Sequence, residues 1–171
     1  MKLKIIAYTI LVFLSVLIQS TLGDSIKIYG VKPNITIVLI IIVALLRNNT
    51  EGAIVGFFCG LMQDAVSGTV IGFYALMGLY LGFIIGSINK RLYRENVLIA
   101  IFLTFVSTFV YEYSVYFFST FLRGPLHFVN PIKNIILIEA VYNSVISIFI
   151  FIIVIKLHIR FEEYDKNSRR Y

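Results

Sequence analysis

The sequence predicts an all-α polytopic membrane protein: one integral membrane domain over residues 1–171, built as a compact bundle of six transmembrane helices. Three observations carry that prediction. Of the 171 residues 59% are hydrophobic and 14% charged, with a mean hydropathy of +0.91, which excludes an ordinary water-soluble domain and a disordered chain alike. The apolar residues fall into six runs, most of them near the ~20 residues a helix needs to cross a bilayer core of ~30 Å. The positive charges sit at the ends of these runs, where they set topology and meet anionic lipid headgroups, so the net charge of +6 points to membrane lipid and not to nucleic acid.

The first run, Ile5 to Leu22, follows Lys2 and Lys4 in the manner of a signal peptide. No A-x-A-like cleavage site follows it, so an uncleaved first helix is expected. Gly23 to Lys32 is a polar loop in which Gly30 has room for a side chain. Pro33 and Asn34 open the second run, 33–46, since proline is tolerated in a first helical turn. Arg47 to Glu51 reads as a tight polar turn. The third run, 52–66, rises only ~22 Å as a helix, so it either crosses or forms a re-entrant hairpin with the fourth run, 70–88, after a break at Ser67 to Thr69. Asn89 to Asn96 is polar and basic, 97–122 is a long fifth span, and Arg123 to Pro131 is a loop. The sixth span covers 132–157, and the polar stretch from His158 to Tyr171 reads as a tail.

Charge distinguishes the two readings of the third run. With six spans and a cytoplasmic N-terminus, eleven Lys and Arg residues lie inside and four outside, whereas a non-crossing third run leaves five inside and ten outside. The excess of positive charge on cytoplasmic loops favours six spans with both termini in the cytoplasm.

Eight of the eleven glycines lie between Gly52 and Gly86. Gly52, Gly56 and Gly60 form one ladder and Gly78, Gly82 and Gly86 another. A glycine every fourth residue lines one side of a helix and lets two backbones approach closely in lipid. Asp64 continues the phase of the first ladder, as do Gly68 and Gly72 across the break. A carboxylate there caps the following helix through free N–H groups of the turn around Ser67 and Thr69, holds an ion, or meets a partner's basic residue. Cys59, set among glycines and phenylalanines, reads as a small core residue.

Glu112 and Glu139 fall inside predicted spans, where an ionised side chain is costly and points to function by default. They face a common outward-opening cavity as a proton or substrate site, or are each protonated, or hydrogen-bond to Asn143 and to tyrosines such as Tyr111, Tyr113, Tyr116 and Tyr142, or contact a partner helix. Tyr111, Tyr113, Tyr116, Phe117 and Phe118 read as an interfacial aromatic belt. His127 and His158 are isolated, so no metal site is expected. There is no phosphate loop, nucleophile elbow or catalytic triad spacing, so neither enzyme activity nor a cofactor is expected.

The order of elements resembles the bacterial rod shape-determining MreD family. The likeness lies in a basic start before a first span ending Gln19-Ser20-Thr21-Leu22, in Pro33-Asn34 opening the second, and in the glycines from Gly52 to Gly72; its specific part runs from Pro33 to Gly72, with Gly60-Leu61-Met62-Gln63-Asp64 the strongest stretch. The last two spans match only in hydropathy. The resemblance implies a noncatalytic, multipass component of the cell-elongation machinery in the bacterial cytoplasmic membrane. It implies direct work with an MreC-like single-span protein. MreB filaments, a RodA-type peptidoglycan polymerase and its transpeptidase complete the assembly. It also implies a fold similar to the substrate-binding subunits of energy-coupling-factor vitamin transporters, which supplies a second reading as a small-molecule binding subunit.

Overall fold

A computed structural model describes residues 2–23, 25–67, 71–88, 96–123 and 135–168. Among them are six α-helices: α1 Lys2–Leu22, α2 Ile35–Leu46, α3 Asn49–Ser67, α4 Phe73–Ile88, α5 Val97–Arg123 and α6 Leu137–Ser168. An isolated bridge joins Ile28 to Val31. The architecture is all-α. Apolar stretches of α5 (Val97–Phe118) and α6 (Leu137–Phe161) are long enough to cross a bilayer, and those of α1 (Ile6–Thr21), α2 and α4 are shorter.

The bundle is organised around α2. Every residue from Thr36 to Leu46 is buried, and the helix packs against all five others. A helix that is apolar on every side has no polar face to turn outward, so neighbours cover it all round. Its shortness then has a reason. Twelve residues rise ~18 Å, against ~40 Å for the 27 residues of α5, and a recess remains over its N-terminus. That end is capped by Asn34, whose Oδ1 accepts the N–H of Ile37 at 3.2 Å. Pro33 precedes the cap and does not enter the first turn.

Several boundaries differ from the sequence reading: α1 starts at Lys2, before the expected Ile5, and α2 at Ile35, after Pro33 and Asn34. Asn48 Oδ1 accepts the N–H of Glu51 at 2.9 Å, so Asn49, Thr50 and Glu51 are the first turn of α3, and only Arg47 and Asn48 form the connection. With 19 residues α3 rises ~28 Å and not ~22 Å. α4 begins at Phe73, after Gly72 turns the chain with φ +99°. α6 runs on to Ser168, so the predicted tail from His158 continues as helix. Gly68, the basic segment 89–95 and the segment 124–134 lie outside the described residues. Gly30 has the expected room, but with φ +79° its backbone is strained for any other residue.

Opposite ends of the bundle collect different side chains. At one end Arg47 pairs with Glu51 at 2.6 Å, approaches His158 Nδ1 at 3.4 Å and lies 6.0 Å from the ring centroid of Tyr8. The other end gathers Gln19, Asn34, Asp64, Glu112 and Glu139.

Candidate functional site

The two glycine ladders face each other in an antiparallel seam between α3 and α4. A Cβ on Gly52 would lie 2.7 Å from the carbonyl oxygen of Gly82 and 2.6 Å from Ala44 Cβ. Gly56 and Gly78 each rest on the other's carbonyl, Gly60 on that of Tyr74, and Gly86 on the backbone of Asn49. Each four-residue step along α3 is met by a four-residue step back along α4. All six glycines are buried, so their open faces are filled within the chain. Cys59, beside the seam, belongs to the apolar core.

Gly72 has a different role from the ladder it appears to extend, for nothing lies within 4 Å of its would-be Cβ. It turns the chain so that its N–H reaches Asp64. Asp64 is 1% exposed and accepts three backbone N–H groups, from Gly72 at 2.9 Å, Tyr74 at 2.9 Å and Ala75 at 3.1 Å. The carboxylate thus caps α4 from the end of α3 through donors at Gly72, Tyr74 and Ala75; Ser67, expected in the break, is the last residue of α3, and Thr69 lies outside the described residues. It faces the positive end of the α4 dipole.

Beside this cap, the recess over α2 is a polar cavity of about 270 Å³ whose wall includes Gln19, Lys32, Asn34, Tyr74, Glu112 and Glu139. The surrounding bonds tie five segments together. Gln19 on α1 donates to the Pro33 carbonyl at 2.8 Å and accepts the Ile35 N–H at 2.9 Å. Asn34 donates its backbone N–H to Asn143 Oδ1 at 2.7 Å and its side chain to Glu112 Oε1 at 3.3 Å. Asn143 in turn donates to Thr108 at 3.4 Å. Glu112 on α5 and Glu139 on α6 stand in the same cavity wall.

The structure therefore brings Glu112, Glu139 and Asn143 to one place. The tyrosine in the cavity wall is Tyr74, in place of the four the sequence suggests. Tyr111 is buried in the core and is not a belt residue, and Tyr142 donates to the Ile26 carbonyl at 2.8 Å. Gln19, Lys32, Gln63 and Tyr74 were invisible as site residues. A glutamine at the end of an apolar run is the one signal that Gln19 offered. Among the described residues, no three His, Cys, Asp or Glu side chains gather to hold a metal ion.

The family model for the rod shape-determining protein MreD matches residues 1–161. The chain belongs to the MreD family. No similar curated protein and no similar solved structure was found. MreD is a shape-determining family, and with its apolar helices this member is a membrane protein. The MreD match spans the glycine seam, Asp64 and every residue of the cavity wall, and it stops inside α6.

Proposed function

We propose that this MreD-family chain is a noncatalytic membrane scaffold of the bacterial cell-elongation machinery. It binds an MreC-like protein directly and helps couple MreB filaments to a RodA-type polymerase and its transpeptidase, and so to rod shape. The observation that carries this reading is the family match over residues 1–161, joined to a bundle whose outward faces are apolar. Ile54, Phe58, Phe83, Ile84, Phe102 and Phe149 are exposed on four different helices, which suits contact with lipid and partner helices. Six crossings with both termini in the cytoplasm fit the charge split, and the ~28 Å rise of α3 supports its crossing.

Co-expression with the MreC-like protein of the same host tests the reading. The two should co-purify from mild detergent, and depletion of this chain should round a rod-shaped host. No recovered partner and unchanged cell shape would remove it. Labelling of introduced cysteines checks the topology, with external reaction at Asn89 excluding six spans. A second reading, a vitamin-like ligand-binding transporter subunit of energy-coupling-factor type, draws support from the polar cavity around Glu112 and Glu139. Native mass spectrometry separates the two: a stoichiometric small ligand favours the transporter, a retained protein the scaffold.

A further inference from the structure

One face of α4 is uncovered. Its buried residues, Ala75, Gly78, Gly82, Ile85 and Gly86, face α3 and the core. At one end the ring of Phe73 meets that of Phe118 on α5, with centroids 6.4 Å apart. The opposite side of the helix presents Leu76, Tyr80, Phe83, Ile84 and Ser87, all exposed. Leu76, Tyr80, Phe83 and Ser87 follow one another at steps of four, three and four residues, the alternation with which one helix keeps a continuous seam against a second.

Tyr80 decides what kind of surface this is. It is 55% exposed and lies midway along α4, ~11 Å from the end at Phe73 and ~12 Å from the end at Ile88. In a bilayer core of ~30 Å that depth holds neither water nor the polar groups of lipid. Exposed hydroxyls elsewhere are satisfied by their own helices. Ser20 and Thr21 donate to the Leu17 carbonyl at 3.1 and 2.6 Å, and Ser87 donates to that of Phe83 at 2.8 Å. Tyrosine has no such route, since the rigid ring holds its hydroxyl away from the backbone, and the Tyr80 hydroxyl forms no hydrogen bond among the described residues. An acyl chain offers a phenol no acceptor. A second helix with a polar side chain at the same depth does.

We propose that the face of α4 from Leu76 to Ser87 is the docking surface for a partner's transmembrane helix, which carries a hydrogen-bonding side chain (serine, threonine, asparagine or glutamine) at midspan opposite Tyr80. The inference rests on the scaffold reading and names the surface that meets the partner. The ring of Tyr80 and the side chains of Leu76, Phe83 and Ile84 supply the dispersion contact, and the phenol hydroxyl fixes the depth at which the two helices meet.

The test uses the full chain and the MreC-like partner in nanodiscs. Tyr80→Phe deletes one oxygen and keeps the ring, so the melting temperature of the chain alone should equal wild type. Affinity for the partner should fall about 3- to 20-fold, the range of one interhelical hydrogen bond in a membrane. Leucine in place of the partner's midspan polar residue should give the same loss and add nothing to it in the Tyr80→Phe background. A photo-crosslinking phenylalanine in place of Ile84 should capture the partner's transmembrane helix. Undiminished affinity of Tyr80→Phe overturns the proposal and leaves the scaffold reading standing. So does a lowered melting temperature of that variant alone, a partner helix without a polar residue at midspan, or crosslinking from Ile84 only to lipid or to a second copy of this chain. A wild-type chain that binds no partner removes the scaffold reading and this proposal with it.

Discussion

The seam between α3 and α4 and the seam between α5 and α6 solve the same problem by opposite means. Helices in lipid gain no hydrophobic advantage from meeting, so a stable pair needs close dispersion contact or hydrogen bonds. In α3–α4 the ladder glycines have no side chains at the contact and lie against backbone atoms of the facing helix. In α5–α6 the buried residues include Thr104, Ser107 and Thr108 on one helix and Asn143, Ser144 and Ser147 on the other. Ser144 and Ser147 turn their hydroxyls back to carbonyls of their own helix at 2.7 and 2.6 Å, while Asn143 crosses to Thr108. The first seam is therefore intolerant of volume and indifferent to polarity. The second is tolerant of a methyl and sensitive to an orphaned polar group.

The largest effect should come from adding volume to the first seam. Gly56→Leu drives a side chain into the Gly78 carbonyl, and the folded fraction recovered by size-exclusion chromatography should collapse, with Gly56→Ala intermediate. Ala65→Leu, on an exposed part of the same helix, should behave as wild type. Equal recovery of all three would break the contrast between the seams. Gly30 is no neutral control, because its backbone conformation itself disfavours leucine.

Asn143→Leu should come next. It removes the acceptor for the Asn34 N–H and the donor to Thr108, and groups left unpaired in a buried site cost about 1–3 kcal/mol each. A thermal shift of several degrees in detergent checks this, and stability equal to wild type would mean that the α5–α6 seam does not depend on its crossing amide.

Asp64→Asn should be milder. The amide keeps one oxygen for the three N–H donors but turns an NH₂ toward others, at a cost of about 1–3 kcal/mol. The protein should still reach the membrane, with reduced co-purification of the MreC-like partner and rounded cells. Full rescue of rod shape and full co-purification would rule out the charge as a determinant. The smallest change is Thr104→Val. The hydroxyl of Thr104 is buried and has no hydrogen-bond partner among the described residues, so an isosteric methyl should leave the melting temperature unchanged or slightly raised. Marked destabilisation would show that this hydroxyl has a partner.

Periodicity and hydropathy made the helices legible, since both are properties of local sequence. The four-residue glycine spacing likewise announced a face without Cβ atoms. It did not say what met that face, and Gly72 shows the limit. It keeps the spacing, yet its φ of +99° makes it the turn that brings an N–H to Asp64. The specific part of the resemblance to MreD, Pro33 to Gly72, contains the same glycines, and the family match covers residues 1–161.

Composition alone determined that the chain is helical and lives in a membrane, because 59% hydrophobic residues in runs of near-span length have no other stable home. The tertiary structure decided which of those runs is wrapped by the rest. A twelve-residue apolar helix looks the same in sequence whether it meets lipid or protein, and only the packing of five neighbours shows α2 to be the core. The cavity follows from the same cause. Gln19, Asn34, Glu112, Glu139 and Asn143 are scattered over more than a hundred residues, and they converge because the short central helix ends before its neighbours do.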